Sequence, residues 1–248
     1  MNSSRGYWSV GMLCAAGVGV VARSEQISVV THLSAMAVLV SLVMIILARN
    51  YVGSAAPVTD VKPRSAFAVP TLRTLLIVGF GLSAGVAQMA SQNWSVIYMR
   101  DTFDVADWLD TIVLPTYLAA MALGRIFADS WIEKFSAKQV AICLIVVGIL
   151  GAGMVAGAQL EWVAVLGFFL LGLGSAVQFP LMITAASRSQ NRSAAEAVSA
   201  AIFLTGIVMM LVPGVIGLIA ESWGLRVGFM LTAIPLMVSL ALVRRVIQ

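Results

Sequence analysis

Long apolar runs broken by short polar interruptions make up most of this chain. Tyr7 to Ala22 is a Gly- and Ala-rich run with Arg5 before it and Arg23 and Glu25 after it. Ser28 to Leu47 is longer and lacks charge. Six more runs follow: Leu72 to Tyr98, Thr111 to Ala128, a run beginning after Ser136 and ending near Ala158, Trp162 to Ala186, Ala197 to Ala220, and Leu225 to Val243. A helix needs about 20 apolar residues to cross a bilayer's hydrocarbon, so the pattern predicts eight membrane helices, the first of them short. A basic residue ahead of a short apolar run also marks a secretory leader. Trp8, Gly11, Gly17 and Gly19 fit a packed helix of the mature chain better.

Local signals set the ends of these runs. Pro70 or Thr71 can open the third helix, and Asp110 can cap the fourth. Ser136 with Gln139, and Ser193 with Glu196, have capping-box spacing. The stretch from Ala48 to Arg73 is the one composition break, carrying Arg49, Lys62, Arg64 and Arg73 with Pro57, Pro63 and Pro70. Asp101, Asp104, Asp107 and Asp110 form an acidic run whose even spacing of three does not match a calcium loop, so it reads as a solvated connection.

Composition agrees with a lipid-exposed chain: of 248 residues, 60% are hydrophobic and only 10% are charged, too few polar groups to build a water-facing surface. The net charge of +4 does not imply a nucleic-acid partner, because the basic residues fall in the interruptions. With a cytoplasmic amino terminus, the inner side holds Arg5, Arg49, Lys62, Arg64, Arg73, Arg125, Lys134, Lys138, Arg188, Arg192, Arg244 and Arg245. The outer side holds only Arg23, Arg100 and Arg226. This asymmetry predicts that both termini are cytoplasmic, and the expected location is the inner (plasma) membrane. Cys14 and Cys143 lie inside apolar runs and read as small packing residues. His32, near the start of the second run, reads as an interfacial residue.

Within the runs, Gly81 with Gly85 and Gly153 with Gly157 have the spacing that lets helix backbones touch. Pro115, Pro180, Pro213 and Pro235 free carbonyls that protein or water must satisfy, as kinks or hinges. The nearest thing to a site is the polar stripe of the third helix. Gln88 and Gln92 share a face, Ser91, Trp94 and Tyr98 line the adjacent stripe, and Asn93 lies beside them. Such a stripe should face the bundle interior or a watery cavity, either as interhelical hydrogen bonds or as a substrate wall. Gln178 and Tyr117 are further candidates from other helices. No acidic or basic residue falls in the middle of an expected span, and no motif for metal, phosphate or nucleophilic chemistry occurs, so neither a cofactor nor an enzyme activity is expected.

One charge-dense stretch stands between the fourth and fifth runs. Gly124-Arg125-x3-Asp129-x3-Glu133-Lys134 resembles the cytoplasmic loop signature of the major facilitator superfamily in its second six-helix half. Gln88-x5-Trp94-x3-Tyr98, Gly172-x-Gly174-x5-Pro180 and Val212-Pro213-Gly214-x2-Gly217 are similar to the branch of fucose permease relatives and sugar-efflux-like carriers. The resemblance implies an all-α membrane protein, a major-facilitator-type bundle of eight transmembrane helices. Residues 1–47 would be the last two helices of the first half, 48–72 a basic cytoplasmic linker, and 73–248 the complete second half. About four amino-terminal helices would be absent.

The implied function is secondary transport of a small polar solute such as a sugar by alternating access. Gln88, Gln92, Asn93, Trp94, Tyr98, Tyr117 and Gln178 would form the solute wall, and Gly124, Arg125, Asp129 and Lys134 a gating loop. Asp129 would accept hydrogen bonds from the start of a neighbouring helix and pair with Arg125. The expected partners are the bilayer, the solute, and a missing amino-terminal half or a second copy. Two departures stand out. Ser130 and Ser136 replace a usual basic residue and a usual glycine, and Gln88 and Asn93 are amides where the branch tends to carry acids. The alternative is a non-transporting half-carrier acting as a membrane binding or assembly module.

Overall fold

The computed structural model describes residues 3–51, 71–103, 105, 107–188 and 193–247. Most of the expected linker, with Pro57, Lys62, Pro63, Arg64 and Pro70, lies outside the described residues, as do Asp104 and Arg192. Ten α-helices account for the described chain: α1 (Ser3–Ser24), α2 (Val29–Tyr51), α3 (Leu72–Thr102), α4 (Asp107–Lys134), α5 (Ala137–Gly157), α6 (Glu161–Gly174), α7 (Gln178–Ser187), α8 (Ala194–Trp223), α9 (Leu225–Met230) and α10 (Ala233–Val246). Among the described residues, seven helical stretches are long and apolar enough to cross a membrane, and they coincide with the second to eighth apolar runs. The first, Gly11–Ser24, is apolar but shorter.

The chain divides into two compact units, one of Met1–Gly17 with Val69–Gln248 and one of Val18–Ala68. In the smaller unit α2 exposes apolar side chains all round, Val30, Leu33, Met44 and Ile46 among them, as a helix does when its solvent is lipid. The larger unit is a bundle with α3 at its centre, packed against α4, α7, α8 and α10, while α5 lies along α6 and α10, and α4 along α6. Phe80, Tyr98, Phe168, Phe229 and Leu236 are wholly buried in this core. Ser239 of α10 donates a 2.8 Å hydrogen bond to the Phe80 carbonyl of α3. Such a bond adds about 0.6 kcal/mol on average inside a membrane.

Three expected caps are present. Thr71 accepts from the Thr74 amide at 3.2 Å, Ser136 from Gln139 at 3.3 Å, and Ser193 from Glu196 at 3.3 Å. Ser136 holds φ +129°, a backbone region that glycine adopts freely and other residues enter only at a cost of about 1–3 kcal/mol. That geometry explains why a glycine suits this turn. Asp110, by contrast, is not a cap. Helix α4 already begins at Asp107, and Asp110 is buried in its first turn, accepting from Thr111 Oγ1 at 2.6 Å. Asp101 belongs to α3 and pairs with Arg100 at 2.8 Å, and Asp107 and Asp110 belong to α4, so these three acids are helical rather than part of a loop.

The glycine pairs expected to bring backbones together are not the ones that do. Methyl groups added at Gly153 or Gly157 would meet nothing within 4 Å, and at Gly81 or Gly85 they would meet the side chains of Met182 and Met209. The close approach belongs to α5 and α6: a methyl at Gly151 would fall 2.5 Å from the Leu171 backbone nitrogen, and one at Gly174 would strike the Gly148 backbone. Small residues act here through the neighbouring helix they face, which the four-residue spacing does not disclose. The cysteines also differ from expectation, since both Cys14 and Cys143 are free and exposed rather than packed.

Candidate functional site

The stretch Gly124–Lys134 is not a loop. It forms the last turns of α4, and only Phe135 and Ser136 separate that helix from α5. Helix α4 continues through the charged residues because Asp, Glu and Lys each cost a helix less than about 0.7 kcal/mol, so the only strongly unfavourable residue in the stretch is Gly124, at about 1 kcal/mol. Arg125 therefore sits nine residues before Lys134, about 13 Å inside the helix end at 1.5 Å per residue. The expectation that no charged side chain lies deep in a span is corrected accordingly.

Opposite Arg125, one membrane pass is broken. Helix α6 ends at Gly174, residues 175–177 turn, and α7 restarts at Gln178, with Pro180 in its first turn where a missing N–H leaves no gap. A break at membrane depth survives only if protein satisfies its polar groups. Here it does. Ser175 Oγ donates to the Leu171 carbonyl at 2.7 Å, Gln178 Nε2 to the Gly174 carbonyl, and the Ser175 and Ala176 amides to carbonyls of the last α6 turn. The Ala176 carbonyl accepts from Arg125 Nε at 3.3 Å. Gly124 makes this reach possible, for a methyl there would lie 2.6 Å from Ala176 Cβ. Gly124 and Arg125 thus clasp the same residue, one by vacating space and the other by hydrogen bonding.

Two cavities flank the clasp, and Arg125 lines both. The smaller, about 140 Å³, lies between α4 and α7 and is bordered by Asp129, Ile132, Val177, Pro180 and Thr184. The larger, about 290 Å³, is enclosed by Ala84, Gly85 and Gln88 of α3, Arg125 of α4, Phe179 and Pro180 of α7, and Met209 of α8. It is at the small end of ligand-pocket sizes and has the usual make-up of an apolar wall with few polar groups.

The structure brings Gln88 to this cavity and distributes the other expected wall residues elsewhere. Gln88 and Gln92 share a face, and both direct Nε2 to the thioether of Met12 in α1 at 3.9 Å. Asn93 is exposed and bonds the Met89 carbonyl of its own helix at 2.8 Å. Trp94 Nε1 donates to the Pro213 carbonyl of α8 at 3.1 Å, and the indole lies against Gly217, a docking contact between α3 and α8. Tyr98 is buried among Phe103, Phe168 and Phe229 and donates to the Val155 carbonyl of α5. Tyr117 is wholly buried, with its backbone carbonyl against Gly172. Gln178 is wholly buried in the helix break, its Oε1 without a hydrogen-bond partner. Lys134 is exposed, its Nζ 5.5 Å from the centre of the Phe135 ring.

Sequence reading did not single out Phe179, Met209 or Ala84, and it took Gly85, which also lines the cavity, for a helix-packing glycine. One signal was available for Met209: Pro213 frees the carbonyl four residues earlier, and interrupted helices line cavities. No comparable signal marks Ala84.

A bundle of helices long and apolar enough to cross a membrane, with one pass broken beside a partly polar cavity, defines the class: a multi-pass membrane protein. The family profile of the Major Facilitator Superfamily matches residues 76–247, and the chain belongs to that family of transporters, which are not enzymes. It is 26% identical over 236 residues to an uncharacterized transporter, y4wD, of Sinorhizobium fredii, covering 94% of this chain and 62% of the relative. It is 28% identical over 136 residues to a probable inositol transporter of Arabidopsis thaliana, covering 50% of this chain and 23% of that relative. The chain thus spans less than two thirds of the length of either.

Proposed function

We propose that the protein is a secondary carrier moving a small polar solute across the inner membrane by alternating access, with Gln88 and Arg125 meeting the solute. The observation that carries this reading is their convergence, from two helices, on one cavity beside the α6–α7 break. Discontinuous helices with polar groups at mid-depth are a recurrent way to hold a solute while halves of a carrier rock. The facing half is supplied by further chain or by a second copy. A sugar or polyol is the solute suggested by the sugar-carrier resemblance, and the plant relative's name agrees with it.

The clasp supplies the latch. Gly124 and Arg125 hold Ala176, and Asp129 borders the same small cavity as the first residues of α7. Releasing Ala176 would free α7 to move against α4. Basic residues support a cytoplasmic placement of this end: Arg73 opens α3, Lys134 closes α4, Lys138 opens α5, and Arg244 and Arg245 close α10. Arg100 at the far end of α3 and Arg226 in α9 are the described exceptions in the larger unit.

Counterflow in proteoliposomes tests the reading with labelled myo-inositol, glucose and benzoate. Wild-type protein is expected to exchange at least one of them, and Gln88→Ala to lower that exchange roughly tenfold, as losing a well-placed polar contact does. Exchange unaffected by Gln88→Ala, or none with any member of the panel, would contradict it.

A further inference from the structure

A groove of about 510 Å³ lies between the end of α4 and the first turns of α5, apart from the cavities beside the α6–α7 break. Trp131 and Phe135 form one wall, and Trp131 is braced by stacking on Phe127, ring centres 6.0 Å apart. The other wall is a stripe of α5 from Gln139 through Cys143 to Val147, positions that share a helix face. Gln139 and Cys143 are exposed, so the groove opens outward.

The groove is graded along its length. At the end where α4 gives way to α5, Lys134 carries its Nζ 5.5 Å from the centre of the Phe135 ring. Beside it, Gln139 Oε1 accepts from Ser136 Oγ at 3.1 Å, which leaves the carboxamide NH2 as the donor at the rim. Beyond Gln139 the stripe is apolar, with Cys143 serving as a small hydrophobe. Eight residues from Gln139 to Val147 cover about 12 Å of α5, close to the roughly 15 Å of hydrocarbon in one leaflet. The neighbouring acids face elsewhere. Asp129 and Glu133 each stand two residues from Trp131, about 200° round α4, and Asp129 borders the small cavity against α7.

We propose that this groove is a binding site for an anionic phospholipid, with one acyl chain along α5 and the phosphate at Lys134 and Gln139. Phosphate oxygens accept from both an ammonium and an amide NH2. An anionic headgroup brings no cation of its own to oppose Lys134, whereas a choline headgroup does. The trough has the depth of a single chain entering from the headgroup level. A helix of that length and about 10 Å across fills roughly 900 Å³, so one from a second copy could lie over the groove but not enter it. The proposal does not rest on the carrier reading, since it concerns another surface and is tested without transport.

Cys143 is a native reporter in the groove. With Cys14→Ser, so that one thiol remains, the full chain in non-ionic detergent is alkylated with N-ethylmaleimide in the presence of dioleoyl phosphatidylglycerol or dioleoyl phosphatidylcholine at equal mole fraction. Phosphatidylglycerol is expected to slow alkylation about fivefold more than phosphatidylcholine, the preference that one basic residue gives for an anionic lipid. Lys134→Gln should abolish that difference. Lys138→Gln should keep it, because Lys138 lies on the far side of α5 from the stripe. Both lysines are exposed, so neither change threatens the fold. Equal protection by the two lipids, protection by neither, or a difference that survives Lys134→Gln overturns the proposal. So does protection that follows protein concentration rather than lipid, which would assign the groove to a second copy.

Discussion

Gly172→Ala and Gly174→Ala should each destabilise the purified protein by about 3 kcal/mol, the upper part of the usual range for forcing a methyl into a packed interior. Their added carbons would meet backbone, that of Tyr117 in α4 for Gly172 and that of Gly148 in α5 for Gly174. Backbone cannot move aside as a flexible side chain can, so whole helices must separate. Gly153→Ala and Gly157→Ala, which meet nothing within 4 Å, should leave stability unchanged or raise it by about 0.4–1 kcal/mol by reducing the freedom of the unfolded chain. Thermal denaturation of the four variants in one detergent distinguishes these outcomes. Equal losses at all four positions would mean that the α5–α6 contact is wrongly placed.

Transport should fall steeply in Gly124→Ala and return in the double variant Gly124→Ala with Ala176→Gly. The new methyl would lie 2.6 Å from Ala176 Cβ, which pushes α4 away and carries Arg125 out of reach of the Ala176 carbonyl. Removing Ala176 Cβ leaves Leu173 Cδ1 at 3.1 Å as the next obstacle, the far end of a side chain that can turn away. Counterflow for wild type, both single variants and the double variant completes the cycle, with a coupling of about 1–2 kcal/mol expected for residues in direct contact. Independent effects of the two substitutions would remove the clasp from the mechanism.

Much of this architecture could be read from the sequence, because lipid imposes a simple rule. A chain that cannot hydrogen-bond its surroundings must form long apolar helices, and seven of the eight expected runs are found as long apolar helical stretches. Caps at Thr71, Ser136 and Ser193 were equally legible, being local. What sequence did not disclose was tertiary. Pro180 marked a kink, since its missing N–H frees the Ala176 carbonyl inside the α6–α7 break, but nothing in the sequence said that Arg125 of another helix would fill that vacancy. Charge density suggested a loop at Gly124–Lys134, yet helix α4 runs through it, because charged side chains cost a helix little and the stretch contains no proline.

The solute wall shows the same division. That Gln88 and Gln92 share a face follows from their spacing, and both do point toward Met12. Trp94 and Tyr98 follow the same helix, but each finds a carbonyl on a different neighbour, Pro213 and Val155. Periodicity tells which residues lie together on one helix and not which helix they face. Arg125 was assigned to gating on its place in the charged stretch, whereas its depth along α4 brings it to the cavity of Gln88.

The central claim is that α3, α4, α7 and α8 enclose a water-accessible cavity while the outer faces of these helices meet lipid. Adjacent positions on α8 test it directly: Met209 lines the cavity and Met210 is 77% exposed on the outer face. With Cys14 and Cys143 replaced by serine, Met209→Cys and Met210→Cys are treated with a charged, water-soluble thiol reagent in proteoliposomes. Modification of the cysteine at 209 and protection of the one at 210 is the predicted result, since a thiol in hydrocarbon does not ionise or meet a charged reagent. Faster modification at 210 than at 209 would contradict the account.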